Sequence, residues 1–463
     1  MHLAILGAGP GGYTAAFEAQ RLGHAVTLID PNAPGGTCLH CGCIPTKTLR
    51  STADALMSVD RFADMGISSC APTLDLEALR KRKDAVIRTL EEGLIKTCAK
   101  QKIRVIQGRA SFADAKTIVV NDERLAIDAA IIATGSRVLE LPSLPLDHQY
   151  VCSSDDALRL THIPKRLLIV GGGVIGCELA CIYQAFGSEV TIVEGLDRLL
   201  PLPAIDHEVS TLLAREMRKK KIRMHLGSTL EDVRVVDGGV QATIAPSPFL
   251  PETSPKAAPQ AVSADMILVT VGRAPNTDGL GLEALGVQLD KRGWIQVDAN
   301  LRTSVPGIYA IGDVLGPSHI MLAHVASCEA LCAVENLNGQ DHAMAYTAVP
   351  SAIFTDPEIA DVGLSEEGAR KAGFSVCTAT TLTRELGKAQ AMGALPGFTK
   401  IVACAETKRI LGVHIVGAHA SDIIAEAGLA VTHEMTVQQL AQTIHAHPTL
   451  AEGLYETARK LLA

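Results

Sequence analysis

The chain has 463 residues, of which 47% are hydrophobic and 20% charged, and its formal net charge is -8. That length suits roughly three domains around sizeable cores, and the acidic balance argues against a nucleic-acid binder, which needs a basic face. No apolar run approaches the roughly 18 residues of a membrane span. Met1-His2-Leu3-Ala4-Ile5-Leu6 runs straight into a glycine turn instead of forming a secretory signal. The twelve cysteines are therefore expected to be mostly free thiols of a cytoplasmic protein. The basic runs Lys81-Arg82-Lys83 and Arg218-Lys219-Lys220-Lys221 read as solvated helix faces.

Residues 3–30 read as strand, glycine turn, helix and strand. In Gly7-Ala8-Gly9-Pro10-Gly11-Gly12, Gly7 makes the tight turn, Gly9 lets backbone approach a pyrophosphate, and Gly12 packs helix on strand. The second strand, Ala25 to Ile29, ends on Asp30, placed for ribose hydroxyls. Gly35-Gly36-Thr37-Cys38-Leu39-His40-Cys41-Gly42-Cys43-Ile44-Pro45-Thr46-Lys47 follows, with three cysteines in six residues. Gly42 allows the torsions that a short loop bridged from Cys38 to Cys43 needs. Pro45 suits the first turn of a helix from about Ile44 to Ser58. A cysteine at that helix end sits near backbone N–H groups and the positive dipole end, which favour thiolate. The segment is expected to be a redox-active disulfide.

A long helical pattern covers Leu76 to Lys100, and strands are expected at Ile103–Gln107, Thr117–Val120 and Ala129–Ala133. The last of these runs into Ala133-Thr134-Gly135-Ser136, a strand-end turn suited to lie against a cofactor. The chain then repeats its opening. Arg166–Val170 is a strand, Gly171-Gly172-Gly173-Val174-Ile175-Gly176 a second glycine turn, and Glu189–Val193 a strand ending on Glu194. Gly7 to Asp30 and Gly171 to Glu194 share a spacing of 23 residues, so two dinucleotides are expected. A carboxylate at Glu194 accepts the 2′-hydroxyl of NAD and repels the 2′-phosphate of NADP, although Arg198 lies close in sequence and works the other way. This unit closes at Met266–Val271 with the turn Gly272-Arg273-Ala274-Pro275-Asn276. Within it, Ala245–Ser263 carries Pro246, Pro248, Pro251, Pro255 and Pro259 and reads as an exposed loop in a hairpin region.

Val305-Pro306-Gly307-Ile308-Tyr309-Ala310-Ile311-Gly312-Asp313 is an apolar strand ending in an aspartate placed for a polyol, and Met321-Leu322-Ala323-His324 opens a helix. From Tyr346 the pattern becomes that of an antiparallel sheet, with strands at Ile353–Glu358, Thr399–Ala403 and Arg409–Val416. Helices follow at about Ser421–His433 and Val437–Gln442, and then His445-Ala446-His447-Pro448-Thr449-Leu450-Ala451-Glu452. The expected divisions are 1–145, 146–275, 276–345 and 346–463.

The cysteine segment, Ala133-Thr134-Gly135, the second glycine turn with Glu178, Ile311-Gly312-Asp313, and His447-Pro448-Thr449 with Glu452 together resemble the flavin-dependent pyridine nucleotide–disulfide oxidoreductases. The resemblance runs from Met1 nearly to Ala463. It implies an α/β fold of two Rossmann-like domains, for FAD and for NAD, plus a C-terminal α+β dimerisation domain. FAD would lie on Gly7, Gly9, Gly12, Asp30, Ala110, Thr134, Gly135 and Asp313, with Met321, Ala323 and His324 against its ring system. Lys47, paired with Glu178, would sit at the flavin's reactive nitrogen. Gly171, Gly173, Gly176, Glu194 and Gly272 would hold NAD. No metal is expected.

Within the family the chain looks most like members that oxidise dihydrolipoamide. Cys38 would exchange with substrate, Cys43 would face the flavin, and His447 oriented by Glu452 would deprotonate the dithiol. His445 reads as structural. A homodimer is implied, as is a partner such as the lipoyl domain of a 2-oxoacid dehydrogenase or glycine cleavage complex. His40, in place of a more usual asparagine, Val325 after His324, and the proline-rich loop depart from the pattern. Cys41 is an extra thiol that could exchange with either neighbour or be only a small residue there. Glutathione reductase, which prefers NADP, is disfavoured by Glu194, and mercuric reductase by the absence of a cysteine pair near the C-terminal Leu461-Leu462-Ala463. A metal-binding protein built on Cys38, His40, Cys41 and Cys43 is the reading from another class.

Overall fold

The strand His2–Leu6 is buried along nearly its whole length, the pattern of a central strand in a parallel sheet covered on both faces. In the computed structural model, which describes residues 1–68, 70–159, 161–251 and 258–463, this strand sits mid-sheet in the first of two units. That unit comprises Met1–Thr48, Leu76–Leu141 and Gly272–Ala345. Its five parallel strands run in the order Ile308–Ala310, Ala129–Ile132, His2–Leu6, Ala25–Asp30, Arg104–Gln107. Leu3, Ile5, Leu28 and Ile131 are fully buried at its centre. The helices Pro10–Arg21 and Ala323–Leu337 approach closely because Gly11 lacks a side chain: a Cβ there would lie 3.3 Å from the Ala326 carbonyl oxygen. The Thr14 hydroxyl donates to Ser327 Oγ at 3.2 Å across this contact. A small antiparallel sheet of Ala110–Asp114, Thr117–Val120 and Glu123–Ala126 completes the unit with the helix Leu76–Lys100. Lys83 on that helix is buried and paired with Asp84 at 2.8 Å, so the expected solvated basic face does not include it.

The second unit comprises Leu49–Asp75, Pro142–Val271 and Tyr346–Ala463. Its parallel sheet repeats the first, in the order Arg223–Leu226, Glu189–Glu194, Arg166–Val170, Met266–Val269, Val151–Ser153. The exposed loop expected over 245–263 is narrower than that: Ala245 and Pro246 end strand Gly239–Pro246, residues 260–263 lie in strand Gln260–Ala264, and Ala245 and Ser247 are buried. Pro255 lies outside the described residues. Lys220 departs from its expected solvated face: it is half-buried against Asp356 and Met57, and burial brings its ammonium down to about 8.

A five-stranded antiparallel sheet follows, in the order Ser351–Ile353, Ile359–Gly363, Ile410–Val416, Phe398–Cys404, Val376–Leu382. The strand expected over 353–358 is therefore two strands: pairing stops where Ile353 meets Ile359, and Phe354–Glu358 form the turn between them. On one face the helices Ala420–Thr432, Val437–Gln442 and Glu452–Lys460 bury Val413, Ile401 and Leu454. The other face carries a polar row in which Asp361 stands opposite His414, and His414 opposite Lys400. Lys400 is only 2% exposed and is neutralised by Asp206 at 3.1 Å and Glu366 at 2.8 Å.

Among the described residues Asp361 has no such cationic partner. Burial pushes its carboxyl up to about 7, with a Ser351 hydrogen bond pulling the other way. Its folded-state pKa lies above its unfolded value. Folding therefore holds the proton more tightly, and stability falls as pH rises from the unfolded value to about 7, then levels off. The Asp361→Asn variant is expected to lose this slope. Its stability relative to the parent grows by about 2 kcal/mol between about pH 5.5 and about pH 8, measured by urea denaturation at both values. An unchanged difference at the two pH values would contradict it.

Candidate active site

In the first unit the predicted dinucleotide residues gather at the C-terminal ends of the parallel strands, the place where such sheets bind ligands. Gly7 has φ +103, and a Cβ on it would lie 2.2 Å from the Ala133 carbonyl oxygen; on Gly12 it would lie 1.8 Å from the Gly7 carbonyl. Only glycine fits either position. Gly9 precedes helix Pro10–Arg21, whose opening turn presents N–H groups to an anion. Asp30 accepts the Ala8 N–H at 2.7 Å and the Asn32 N–H at 2.8 Å, which fixes its carboxylate beside the turn. Ala110 opens the small sheet, and the Gly108 N–H before it donates to the Asp30 carbonyl at 2.9 Å.

Thr134 Oγ1 is buried with no hydrogen-bond partner among the described residues, and Gly135 beside it has φ +70. Asp313 accepts from Ser136 Oγ at 2.7 Å, with Arg273 Nε at 3.8 Å. The Gly312 N–H is fixed by buried Glu329 at 2.6 Å. Met321 is half-buried, Ala323 begins helix Ala323–Leu337, and His324 is exposed. A glycine-walled cradle, a carboxylate at each side and an orphaned hydroxyl fit a flavin dinucleotide. Arg273 and Glu329 carry no local signal of a site role in the sequence, and Ser136 shows there only as part of a strand-end turn, because the contacts of all three join distant segments.

The redox segment begins against the same turn: a Cβ on Gly36 would come 2.5 Å from Gly9 Cα. The expected loop is a helix, Gly36–Cys41, which breaks at Gly42 with φ -138 and ψ -110 before helix Cys43–Ser58 starts. A Cβ on Gly42 would lie 2.9 Å from the Thr37 carbonyl oxygen, so the break needs glycine. It brings the Cys38 and Cys43 thiols into hydrogen-bond contact. That contact, then burial, then the charge of Cys43 hold the Cys38 thiol pKa far above its ordinary value, with Lys47 opposing. Of the two sulfurs, Cys43 is the exposed one. Tyr13 lies within reach of both: burial, then their charges, raise its phenol pKa. His40 turns away from the cysteines, with Nε2 3.3 Å from the Ala33 carbonyl and Nδ1 3.6 Å from Glu91.

In the second unit the turn geometry recurs. Gly171 has φ +105, a Cβ on Gly176 would lie 2.0 Å from the Gly171 carbonyl, and Gly173 has φ -74 and ψ -170 against -73 and -172 at Gly9. Glu194 accepts the Gly172 N–H at 2.5 Å and the Leu196 N–H at 2.8 Å, as Asp30 does in its own turn. Arg198 is spent on the carbonyls of Ile205 at 3.0 Å and Leu202 at 3.1 Å. It therefore does not neutralise Glu194. Glu178 is buried and accepts the Phe354 N–H at 2.8 Å. Gly272, φ +136, belongs to the first unit, where its carbonyl accepts the Leu139 N–H at 3.1 Å.

Also in the second unit, Glu452 opens helix Glu452–Lys460 and accepts from His447 Nδ1 at 2.8 Å and from the Thr449 N–H at 2.8 Å. The Thr449 bond first, and His447 second, hold its carboxyl below the usual range. A carboxylate on Nδ1 fixes the tautomer in which Nε2 is a free base. The His447 side chain is 76% exposed. His445, in contrast, is 5% exposed, bonded to Glu426 at 2.8 Å and the Thr443 carbonyl at 2.9 Å, and is structural.

Residues 1–330 match the family described as pyridine nucleotide-disulphide oxidoreductase, and residues 349–458 match the dimerisation domain of that family. The chain belongs to this family: it is a flavoprotein disulfide oxidoreductase whose cofactors are FAD and NAD. Its full-length relatives include dihydrolipoyl dehydrogenase from Thermus scotoductus, 40% identical over 99% of this chain and 97% of that one. The dihydrolipoyl dehydrogenase of Bacillus subtilis is 38% identical over 98% and 95%. Among solved structures, LpdA from Mycobacterium tuberculosis superposes with a TM-score of 0.90 at 27% identity, covering all of both chains. RclA of Escherichia coli, an HOCl-induced flavoprotein disulfide reductase, gives 0.85 at 26% identity over 99% of each. Among the described residues no helix is long and apolar enough to cross a membrane.

Proposed function

We propose that the chain is a dihydrolipoyl dehydrogenase, oxidising protein-bound dihydrolipoamide to lipoamide through a Cys38–Cys43 disulfide and reducing NAD. The observation that carries this reading is the contact of the two thiols across Gly42, which raises the Cys38 thiol pKa. His447 Nε2 takes the proton of one substrate thiol, and the resulting thiolate attacks Cys38 Sγ, expelling Cys43 as thiolate. The second substrate thiol then attacks the substrate sulfur of the mixed disulfide, its proton passing to the departing Cys38 sulfur while His447 keeps the first. Lipoamide leaves. Bound FAD would supply the two-electron acceptor for the Cys38–Cys43 dithiol, and NAD the final hydride acceptor.

Lys47 lies at the flavin's reactive nitrogen, and Met321, Ala323 and His324 border its ring system. Glu194 with Arg198 engaged elsewhere favours NAD over NADP. The enzyme works as a homodimer in which His447 serves the cysteines of the partner copy. Ile444, 95% exposed three residues before His447, supplies apolar surface for that interface. The partner is the lipoyl domain of a 2-oxoacid dehydrogenase or glycine cleavage complex, in the cytoplasm.

The test is parallel turnover of dihydrolipoamide with NAD and of glutathione disulfide with NADPH. The first is expected to exceed the second by at least about 10³-fold, the scale on which a site built for one polar partner rejects another. Faster turnover of glutathione disulfide would overturn the assignment.

A further inference from the structure

Cys41 is the thiol that the proposed reaction leaves unused. The helix Gly36–Cys41 places it three residues beyond Cys38, and side chains at that spacing lie on the same helix face with Cβ atoms about 5–6 Å apart. A disulfide spans Cα separations of about 4.4–6.8 Å and Cβ separations of about 3.5–4.5 Å. A slight tightening at the helix end brings the two sulfurs together. The means for it are present, because Cys41 is the last helical residue and Gly42 after it is non-helical. Cys41 is half-exposed, so water reaches it as it ionises. The short helix is meanwhile tied down at His40, whose ring faces Glu91 on helix Leu76–Lys100. Cys38 Sγ is therefore within reach of a sulfur on either side, Cys43 across the helix break and Cys41 one turn along.

The chemistry of exchange favours the switch. Cys43 opens the 16-residue helix Cys43–Ser58, where the positive dipole end stabilises a departing thiolate, and a better leaving group leaves faster. Cys41 sits at the opposite kind of helix end, which disfavours thiolate there. Charge thus moves from the poorer site to the better one when Cys41 attacks.

We propose that Cys41 is a third redox thiol, which takes over Cys38 in a Cys38–Cys41 disulfide and so holds the oxidised enzyme in a latent isomer. In this step Cys41 gives its proton to water and its thiolate attacks Cys38 Sγ. The Cys38–Cys41 bond forms as the Cys38–Cys43 bond breaks, and Cys43 leaves as thiolate. One disulfide is present before and after, so no oxidant or reductant takes part. With Cys43 unbridged, turnover stops until the reverse exchange restores the working bond. This inference rests on the Cys38–Cys43 disulfide proposed above.

The test uses the oxidised, FAD-loaded enzyme. Acid quenching stops exchange, because only thiolate attacks. The unfolded protein is then labelled with N-ethylmaleimide at mildly acidic pH, reduced, alkylated with iodoacetamide and digested with trypsin. Fragmentation of the peptide that carries all three cysteines identifies which of them bears maleimide. Maleimide is expected on Cys41 in part of the protein and on Cys43 in the rest, with Cys38 unlabelled. In the Cys41→Ala and Cys41→Ser variants the Cys43 label should fall to background. Label confined to Cys41, or Cys43 labelling unchanged in both variants, would overturn the latent isomer while leaving the Cys38–Cys43 pair intact. Label on all three cysteines would instead remove the disulfide itself, and with it both readings.

Discussion

Replacing Cys43 with serine is expected to abolish oxidation of dihydrolipoamide while leaving FAD bound. The loss should be at least about 10³-fold, the range in which members of a covalent catalytic unit fall when removed singly. A serine oxygen cannot form the bridge to Cys38, and it is no leaving group at neutral pH. FAD binding should survive because the substitution touches none of Gly7, Gly12, Asp30, Thr134 and Asp313, the residues proposed to cradle it.

A second consequence follows for Cys38. Its thiol is held protonated chiefly by the hydrogen bond to Cys43, then by burial, then by the charge on Cys43. The Cys43→Ser variant removes the sulfur that accepts that bond and the charge, leaving burial opposed by Lys47. The Cys38 pKa should fall, and its alkylation by iodoacetamide at neutral pH should be faster in the variant than in the reduced parent. The long-wavelength absorbance that a thiolate gives beside an oxidised flavin should be lost as well. Slower Cys38 alkylation, or turnover within tenfold of the parent, would place the second redox thiol elsewhere, with Cys41 the first alternative.

Much of this site was readable in the sequence because the constraints act locally. Gly7 and Gly171 stand at positive φ against a neighbouring strand's carbonyl, and Gly12 and Gly176 each abut the carbonyl of the glycine five residues earlier. Such positions admit one residue type, so spacing alone exposes them. Asp30 and Glu194 are found the same way, at the ends of strands whose length the glycine turn sets. The helix Gly36–Cys41 was not readable, since six residues with two glycines at or before its start carry no usable period. What makes it helical is its seat on Gly9 and its tie to Glu91, contacts that local pattern does not encode. The same holds for the Asp206, Glu366 and Lys400 cluster and for Arg273 beside Asp313. Residues 353–358 were misread because an apolar start, Ile353-Phe354, resembles a strand, while the turn is fixed by Ile353 pairing with Ile359.

The His447→Gln variant should bind FAD and fold as the parent does, because the side chain it replaces is mostly exposed. Glutamine can still donate its amide to Glu452, so the local hydrogen bond survives while the basic nitrogen is gone. Turnover with dihydrolipoamide and NAD is expected to drop about 10²- to 10⁴-fold, the contribution of a positioned acid–base group. The pH profile separates this role from a structural one. Glu452 is held below the usual carboxylate range, first by the Thr449 N–H and then by His447, so it stays ionised through neutral pH and keeps orienting its partner. In the parent, once Nε2 is unprotonated, further increases in pH should do little to the rate of thiol attack. In the variant no base assists, and only the fraction of substrate already present as thiolate can react. Its rate should keep climbing about tenfold per pH unit until the substrate thiol, with a pKa near or above the ~8.5 of free cysteine, is itself ionised. Stopped-flow reduction of the oxidised enzyme by dihydrolipoamide across about pH 6 to about pH 9 reads this directly. A variant profile that merely runs parallel to the parent's, at lower amplitude, would mean that His447 positions the substrate and that another group removes its proton.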